Sequence, residues 1–390
     1  MEPILFGIVL IPVIIPLLAK FVLRLDISWL EWIVAVFACS LVLAAMWYGG
    51  RAAVGGDHEV LSGRVTAKSV DRYRCPTNTM NPCQNGYSCN CVTTCTSSTD
   101  SKGNVTQSCT THCDTCYVYP WEQDWRVAST LQNYTIRRVD AQGAVEPRRW
   151  SIVQQGDPVA MTHPYKNWVK ASANTLFREG KAGADTYAKI LPDYPIRIYD
   201  YWRIDRVVTP NVAVPNKTAW NRELSKMLST VGPAKQVNVV MVFVNAPRDY
   251  ARTLRYHWEG FKKNDAVVVV GVQGGLVTWT ETMSWSKNPA FDIEVRNLID
   301  NYRGQPLAAL EPQRVVPAIG QIAMKEFVRR PMEEFEYLKG DIPPPRWLIW
   351  LCTILAVLLG CGSAYLFHRV DLDAELLNLN KRGYDRRYYR

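Results

Sequence analysis

The chain has 390 residues, with 45 Lys and Arg against 36 Asp and Glu, a formal net charge of +9, and 48% apolar residues. This length exceeds one ordinary domain, and the apolar fraction excludes a disordered or fibrous chain. The excess of positive charge gathers partly in a tail next to an apolar segment, and no nucleic-acid-binding module is present, so no nucleic-acid partner is expected.

Residues 1–50 read as two transmembrane helices, 3–23 and 29–48. Pro3 to Ala19 carries no charge and continues past Lys20 to Leu23, long enough to cross a bilayer core, with Pro12 and Pro16 expected to kink it. Glu2, the lack of a basic start and the lack of a small-residue cleavage site before Lys20 argue against a cleaved leader. Trp29 to Tyr48 is bounded by aromatic residues at both ends, and Glu31 near its start is expected to reach toward the headgroups.

A third span covers 346–368. Within it Gly360 and Ala364 stand four residues apart, which favours close helix packing within the chain or between copies, and allows a homo-oligomer through this helix. The tail 369–390 ends in Lys381, Arg382, Arg386, Arg387 and Arg390. The positive-inside rule applied to this tail and to the link carrying Lys20 and Arg24 places both in the cytoplasm. The N-terminus and residues 51–345 are then extracytoplasmic, facing the periplasm in a bacterial envelope.

Residues 51–172 read as a β-rich subdomain with a cysteine-rich insertion at 75–116. A linker, 51–57, leads into a strand over Glu59–Ala67. Tyr117–Tyr119, Trp125–Val127, Tyr134–Ile136 and Trp150–Val153 read as short strands divided by Gly143, Pro147, Gly156 and Pro158. The insertion holds Cys75, Cys83, Cys89, Cys91, Cys95, Cys109, Cys113 and Cys116 with almost no Leu, Ile or Phe. An even, dense cysteine set in an exported segment is a disulfide framework, a stapled loop whose pairing the spacing leaves open. Zinc is the alternative should the block be reduced, with His112 completing a ligand set. Cys113 and Cys116 also form a CxxC pair, but strand-like residues follow where a redox site wants a helix. Cys39, Cys352 and Cys361 lie in the spans as small apolar side chains. Asn104, Asn133 and Asn216 begin glycosylation sequons of no more than chance frequency.

Residues 173–340 alternate strand and helix signals as an α/β layer fold does. Strands are expected over 195–208, 237–244 (VNVVMVFV), 266–272 (AVVVVGV) and 276–285, the last two joined at Gly274–Gly275. Helices are expected over 219–231, 248–260, 289–302 and 315–337. The two continuous apolar strands indicate burial on both faces.

From about Ala219 to Tyr337, the strand VNVVMVFV, the helix DYARTLRYHWEG and the run FKKNDAVVVVGVQGGLVTWTETMSW resemble a TPM domain, a membrane-anchored α/β/α family of bacterial envelopes, photosystem maintenance factors and receptor accessory proteins. The resemblance implies a TPM-like α/β/α sandwich, and in some members a cation, calcium or magnesium, with weak phosphatase activity. This chain departs from the family at Ala266, where a glycine is usual, and at Met283–Ser286, where a Gly-x-Gly-x-Glu stretch is usual. Residues 58–165, through the strand at Glu59, the Cys-x-Cys block and the stretch Arg148–Pro164, more faintly resemble uncharacterised membrane proteins of large tailed bacteriophages, which implies an envelope location.

Acidic residues of the α/β region, Asp200, Asp205, Asp265, Glu281, Asp292 and Glu294, are either solvated charges or oxygen ligands; Asp265, Glu281 and Asp292 are the cation candidates. The five histidines form no HExxH or triad-like grouping, and neither a P-loop nor a GxSxG is present. No catalytic residue is therefore assigned. The expected function is that of a membrane-anchored, non-catalytic interaction protein that binds or organises another envelope protein. The alternative is a weak cation-dependent phosphohydrolase of the TPM type.

Overall fold

The computed structural model describes residues 3–25, 27–75, 83–99, 105–172, 184–200 and 202–369. The basic tail beyond Arg369 and residues 100–104, Asn104 among them, lie outside them. In chain order, α1 (Pro3–Phe21) and α2 (Trp29–Val54) precede β1 (Gly56–Arg74), β2 (Gly86–Thr99), β3 (Val105–Tyr117), β4 (Trp121–Ser129) and β5 (Tyr134–Ile136). Then come α3 (Arg148–Ile152), β6 (Pro158–Lys166), α4 (Trp168–Ala171), α5 (Ala184–Tyr187), β7 (Ile198–Tyr199), β8 (Arg203–Ile204) and β9 (Val207–Val208). The remainder is α6 (Lys217–Lys235), β10 (Asn238–Val244), α7 (Asp249–His257), β11 (Asp265–Gln273), β12 (Leu276–Ser284), α8 (Ala290–Asp300), α9 (Pro312–Glu326) and α10 (Arg346–Arg369). The chain divides into two compact units, one of residues 1–57, 164–179 and 331–390, the other of 58–163 and 180–330.

In the first unit α1, α2 and α10 are long and apolar enough to cross a membrane. They pack on one another through Leu5, Ile8, Leu43, Trp47, Leu348, Cys352 and Ala356 at one level and through Ala19, Ala35, Ala364 and Phe367 at another. Helix α1 runs unbroken through Pro12 and Pro16. The small face of α10 is used within the chain: a Cβ on Gly360 would stand 2.9 Å from the Ile15 side chain. Glu31 does not reach outward. Its carboxylate turns back to accept from the Ser28 N–H at 2.8 Å while Ser28 Oγ accepts from the Glu31 N–H, a capping box that starts α2 and buries the acid. Helix α2 continues past Tyr48 to Val54, where Arg51 donates to the Ile342 carbonyl at 2.7 Å. The stretch read as linker is thus partly helix.

The second unit contains two four-stranded sheets besides the two-stranded β2-β3 and β7-β8. The first has the order β5-β4-β1-β6, and Val65, Trp125, Val127, Tyr134, Ile136, Val153 and Val159 form its core. Trp150–Val153, expected as a strand, is instead α3 and its end. Pro147 precedes the helix, and Trp150 is held edge-on to Trp125 with ring centroids 4.8 Å apart. The second sheet has the order β12-β11-β10-β9, with β9, β10 and β11 parallel and β12 antiparallel at the edge. Alternate residues of β10 feed opposite cores. Val239, Met241 and Phe243 meet α6, α8 and α9, and Val240, Val242 and Val244 meet α7. That two-sided burial explains why β10 and β11 are apolar throughout. The helix expected over 315–337 ends at Glu326, where Phe327 turns extended and packs edge-on against Phe291 of α8, and 332–341 is a run of 3-10 helix.

Candidate functional site

The cysteine-rich insertion is not an irregular loop. β2 and β3 form a long antiparallel hairpin, paired from Gly86↔Tyr117 to Thr99↔Val105. Val92, Thr93, Thr94 and Thr96 favour the extended backbone, and cysteines at strand spacing place their sulfurs for cross-strand bonds. All eight clustered cysteines are joined: Cys95 to Cys109, Cys91 to Cys113, Cys89 to Cys116, and Cys75 to Cys83. The oxidised chain therefore has no thiolate there to ligate zinc, and Cys113 and Cys116 belong to different bonds. Thr93 and Thr111 hydroxyls meet across the ladder at 2.8 Å. From Asn90 to Ser98 and from Gln107 to Thr115 every side chain is exposed, whichever face of the hairpin it stands on. A two-stranded ribbon without a core is marginal in water, so the disulfides hold it.

Its base is organised by Glu122, which is fully buried. The carboxylate accepts from the backbone N–H of Gln84 at 3.0 Å and of Asn85 at 3.2 Å, from Asn85 Nδ2 at 3.0 Å and from Arg138 at 2.6 Å. Burial alone would push this carboxyl up, but the bonds from Arg138, Gln84 and Asn85 together hold it below its ordinary value.

Among the described residues, the carboxylates singled out in the sequence form no three-ligand group, although Glu281 stands near enough to Asp292 to help raise its pKa. Asp265 is buried at the start of β11, where it accepts from Tyr194 Oη at 2.9 Å, Asn238 Nδ2 at 2.9 Å and the Lys262 N–H at 2.8 Å. Burial pushes its pKa up to about 6, against the pull of those three bonds. Glu281 takes a two-pronged contact from Arg248, Nε standing at 2.9 Å. Asp292, in the first turn of α8, accepts from the Ser284 N–H at 3.3 Å, and burial pushes its carboxyl up. Asp200 pairs with Arg149, Glu294 with Lys325, and Asp205 accepts from Tyr199. Among the described residues, one group of three His, Cys, Asp or Glu side chains brings its ligand atoms within 4.8 Å of one another, namely Cys75, Cys83 and Glu122. Two of those three are bonded to each other.

Sequence reasoning passed over a buried polar junction within this unit. Glu59, fully buried on β1, is met by Arg329 at 2.6 Å, His163 at 3.2 Å and Lys263 at 3.6 Å. Three residues on, Ser62 accepts from the buried Arg206 at 2.7 Å, and Arg206 also donates to Asn238 Oδ1 at 2.9 Å. Asn264 Nδ2 reaches the Val60 carbonyl at 2.7 Å. Desolvation pulls Arg206 down to about 10. The first half of β1 is thereby locked onto the starts of β10 and β11 by hydrogen bonds and charge. The partners of Glu59 lie 104, 204 and 270 residues away, so no local pattern could have flagged it.

A polar cleft of 600 Å³ lies where Asp157, Tyr199 and Arg203 face Lys217, Asn221 and Ser225 of α6. Burial and the bond to Asp205 push the Tyr199 phenol up to about 12, so it stays a donor at neutral pH. No family model, curated protein or solved structure matches this chain.

Proposed function

We propose that the protein is a membrane-anchored, extracytoplasmic interaction protein, which binds or organises another envelope protein through its disulfide-laddered hairpin. The observation that carries this reading is the hairpin itself, two strands of 14 and 13 residues stapled by three cross-strand disulfides. They bury no core of their own yet are held rigid. Rigidity in an exposed ribbon lowers the ordering cost of binding. Tyr87, Val92 and Val118 add exposed apolar contact area at and beside it.

The disulfides support an oxidising compartment for residues 51–345 and hence the cytoplasmic tail. The parallel β9-β10-β11 arrangement with an antiparallel β12 and helices against both faces supports a TPM-like α/β/α platform. That Asp265, Glu281 and Asp292 form no three-ligand group among the described residues favours binding over the phosphohydrolase alternative.

Photo-crosslinking from Tyr87 and Val92 in intact membranes tests this. A discrete protein adduct that disappears when the hairpin is shortened is the expected result. Absence of any adduct, together with cation-dependent phosphoester turnover abolished by Asp265→Ala, would replace the reading with the hydrolase.

A further inference from the structure

The two edges of the hairpin are not equivalent. β2 carries a bulge at Asn90–Cys91, where the register shifts between Cys89 and Val92 and Asn90 adopts φ 47°. Such a bulge blunts an edge. β3 has no bulge, no proline, no lysine and no arginine, and Asp114 is its one charged residue besides the titratable His112. Proteins ordinarily protect an exposed edge of this length with charge, proline or irregularity.

The free hydrogen-bonding groups of β3 can be assigned. The Cα atoms of Cys95 and Cys109, and of Cys91 and Cys113, are 3.9 Å apart. Such narrow pairs are the non-hydrogen-bonded positions of an antiparallel ladder, whose N–H and C=O turn away from the neighbouring strand. By alternation Gln107, Cys109, Thr111 and Cys113 present their backbone outward. Among the described residues no third strand pairs with the hairpin.

We infer that the β3 edge pairs with the β3 edge of a second copy of this chain, antiparallel about Thr111, making a four-stranded sheet across a two-fold axis. This rests on the reading of the hairpin as the recognition arm and names its occupant. Thr111 is the midpoint of Val105–Tyr117, so both strands overlap along their whole length. That register sets Asp114 opposite Ser108 of the second copy, where like charges do not meet. An edge with almost no charge carries no pattern to select a different, charged strand, whereas self-pairing is two-fold symmetric and needs none.

Two differently tagged copies of the full chain, co-expressed and extracted in detergent, test this by co-purification. Gln107→Pro and Thr111→Pro each delete an outward N–H on both copies without touching the inner ladder. Each should weaken co-purification roughly tenfold. Thr93→Pro deletes an outward N–H on the blunted β2 edge, and loses the same Thr93–Thr111 contact as Thr111→Pro; it should leave association intact. A free-thiol count confirms that all variants keep the disulfides. The inference is overturned if wild-type copies do not co-purify, if the β3 variants associate like wild type, or if Thr93→Pro is equally disruptive. Hairpin crosslinks to a different protein alone would overturn it while leaving the interaction reading standing; no crosslink of any kind would remove both.

Discussion

Asp265 and Glu122 are both buried acids, yet their surroundings drive them in opposite directions. At Asp265 burial outweighs the hydrogen bonds, so the folded chain holds the proton more tightly than the unfolded one. Its contribution to stability is therefore greatest below the unfolded value near 4 and is lost as pH rises through about 6. Asp265→Asn should flatten the melting profile between pH 4 and 7, measured by thermal unfolding of the full chain in detergent. At Glu122 the hydrogen bonds win, so stability is present above its unfolded value and is lost as pH falls through the lower folded one. Glu122→Gln should abolish that acid-side loss while lowering stability at neutral pH. Glu59 presents a third case, a carboxylate fully removed from water and met by Arg329, Lys263 and the His163 ring. Arg329→Ala leaves it buried with weaker partners and should cost about 3 kcal/mol, read from denaturant unfolding; Glu59→Gln in the same background should restore part of it.

The hairpin and the helix bundle show how small side chains set element stability. The hairpin disulfides join residues 14, 22 and 27 positions apart, and such bonds typically contribute about 2–4 kcal/mol. The ribbon has no core to replace them. Reduction should therefore release residues 86–117 to rapid hydrogen exchange while residues 238–284 stay protected, because β10, β11 and β12 owe their stability to packing on both faces. In the bundle, Gly360 admits Ile15 and the backbone of Pro12, whereas nothing lies within 4 Å of where a Cβ of Gly362 would stand. Gly360→Leu should destabilise the bundle by about 1–3 kcal/mol in detergent unfolding, and Gly362→Leu should be near neutral.

For the whole molecule, the proposed topology exposes the hairpin on the periplasmic face and shields the tail. In spheroplasts a C-terminal tag should resist added protease while impermeant reagents label the ectodomain. Much of this scale was legible in the chain: three apolar runs gave three helices long and apolar enough to cross a membrane, and VNVVMVFV and AVVVVGV gave adjacent buried strands. The register of those strands, and the closing of 315–337 at Glu326, needed the neighbours that pack on them. The candidate site was read less well. Composition marked residues 75–116 as stapled but concealed their regularity, because a ribbon exposed on both faces lacks the alternation of apolar and polar residues by which strands are recognised.

Local chemistry was enough to mark the three long apolar helices, the disulfide-bonded state of the eight cysteines and the alternation of strand and helix, since each depends on run length, spacing and residue type close together in the chain. Only the tertiary structure decided which cysteine meets which, that Glu59 finds Arg329 and Lys263, that Asp265 accepts from Tyr194, Asn238 and Lys262, and that Gly360 packs within the chain. Those outcomes depend on atoms brought together from residues tens to hundreds of positions apart, and a sequence pattern does not carry their distances.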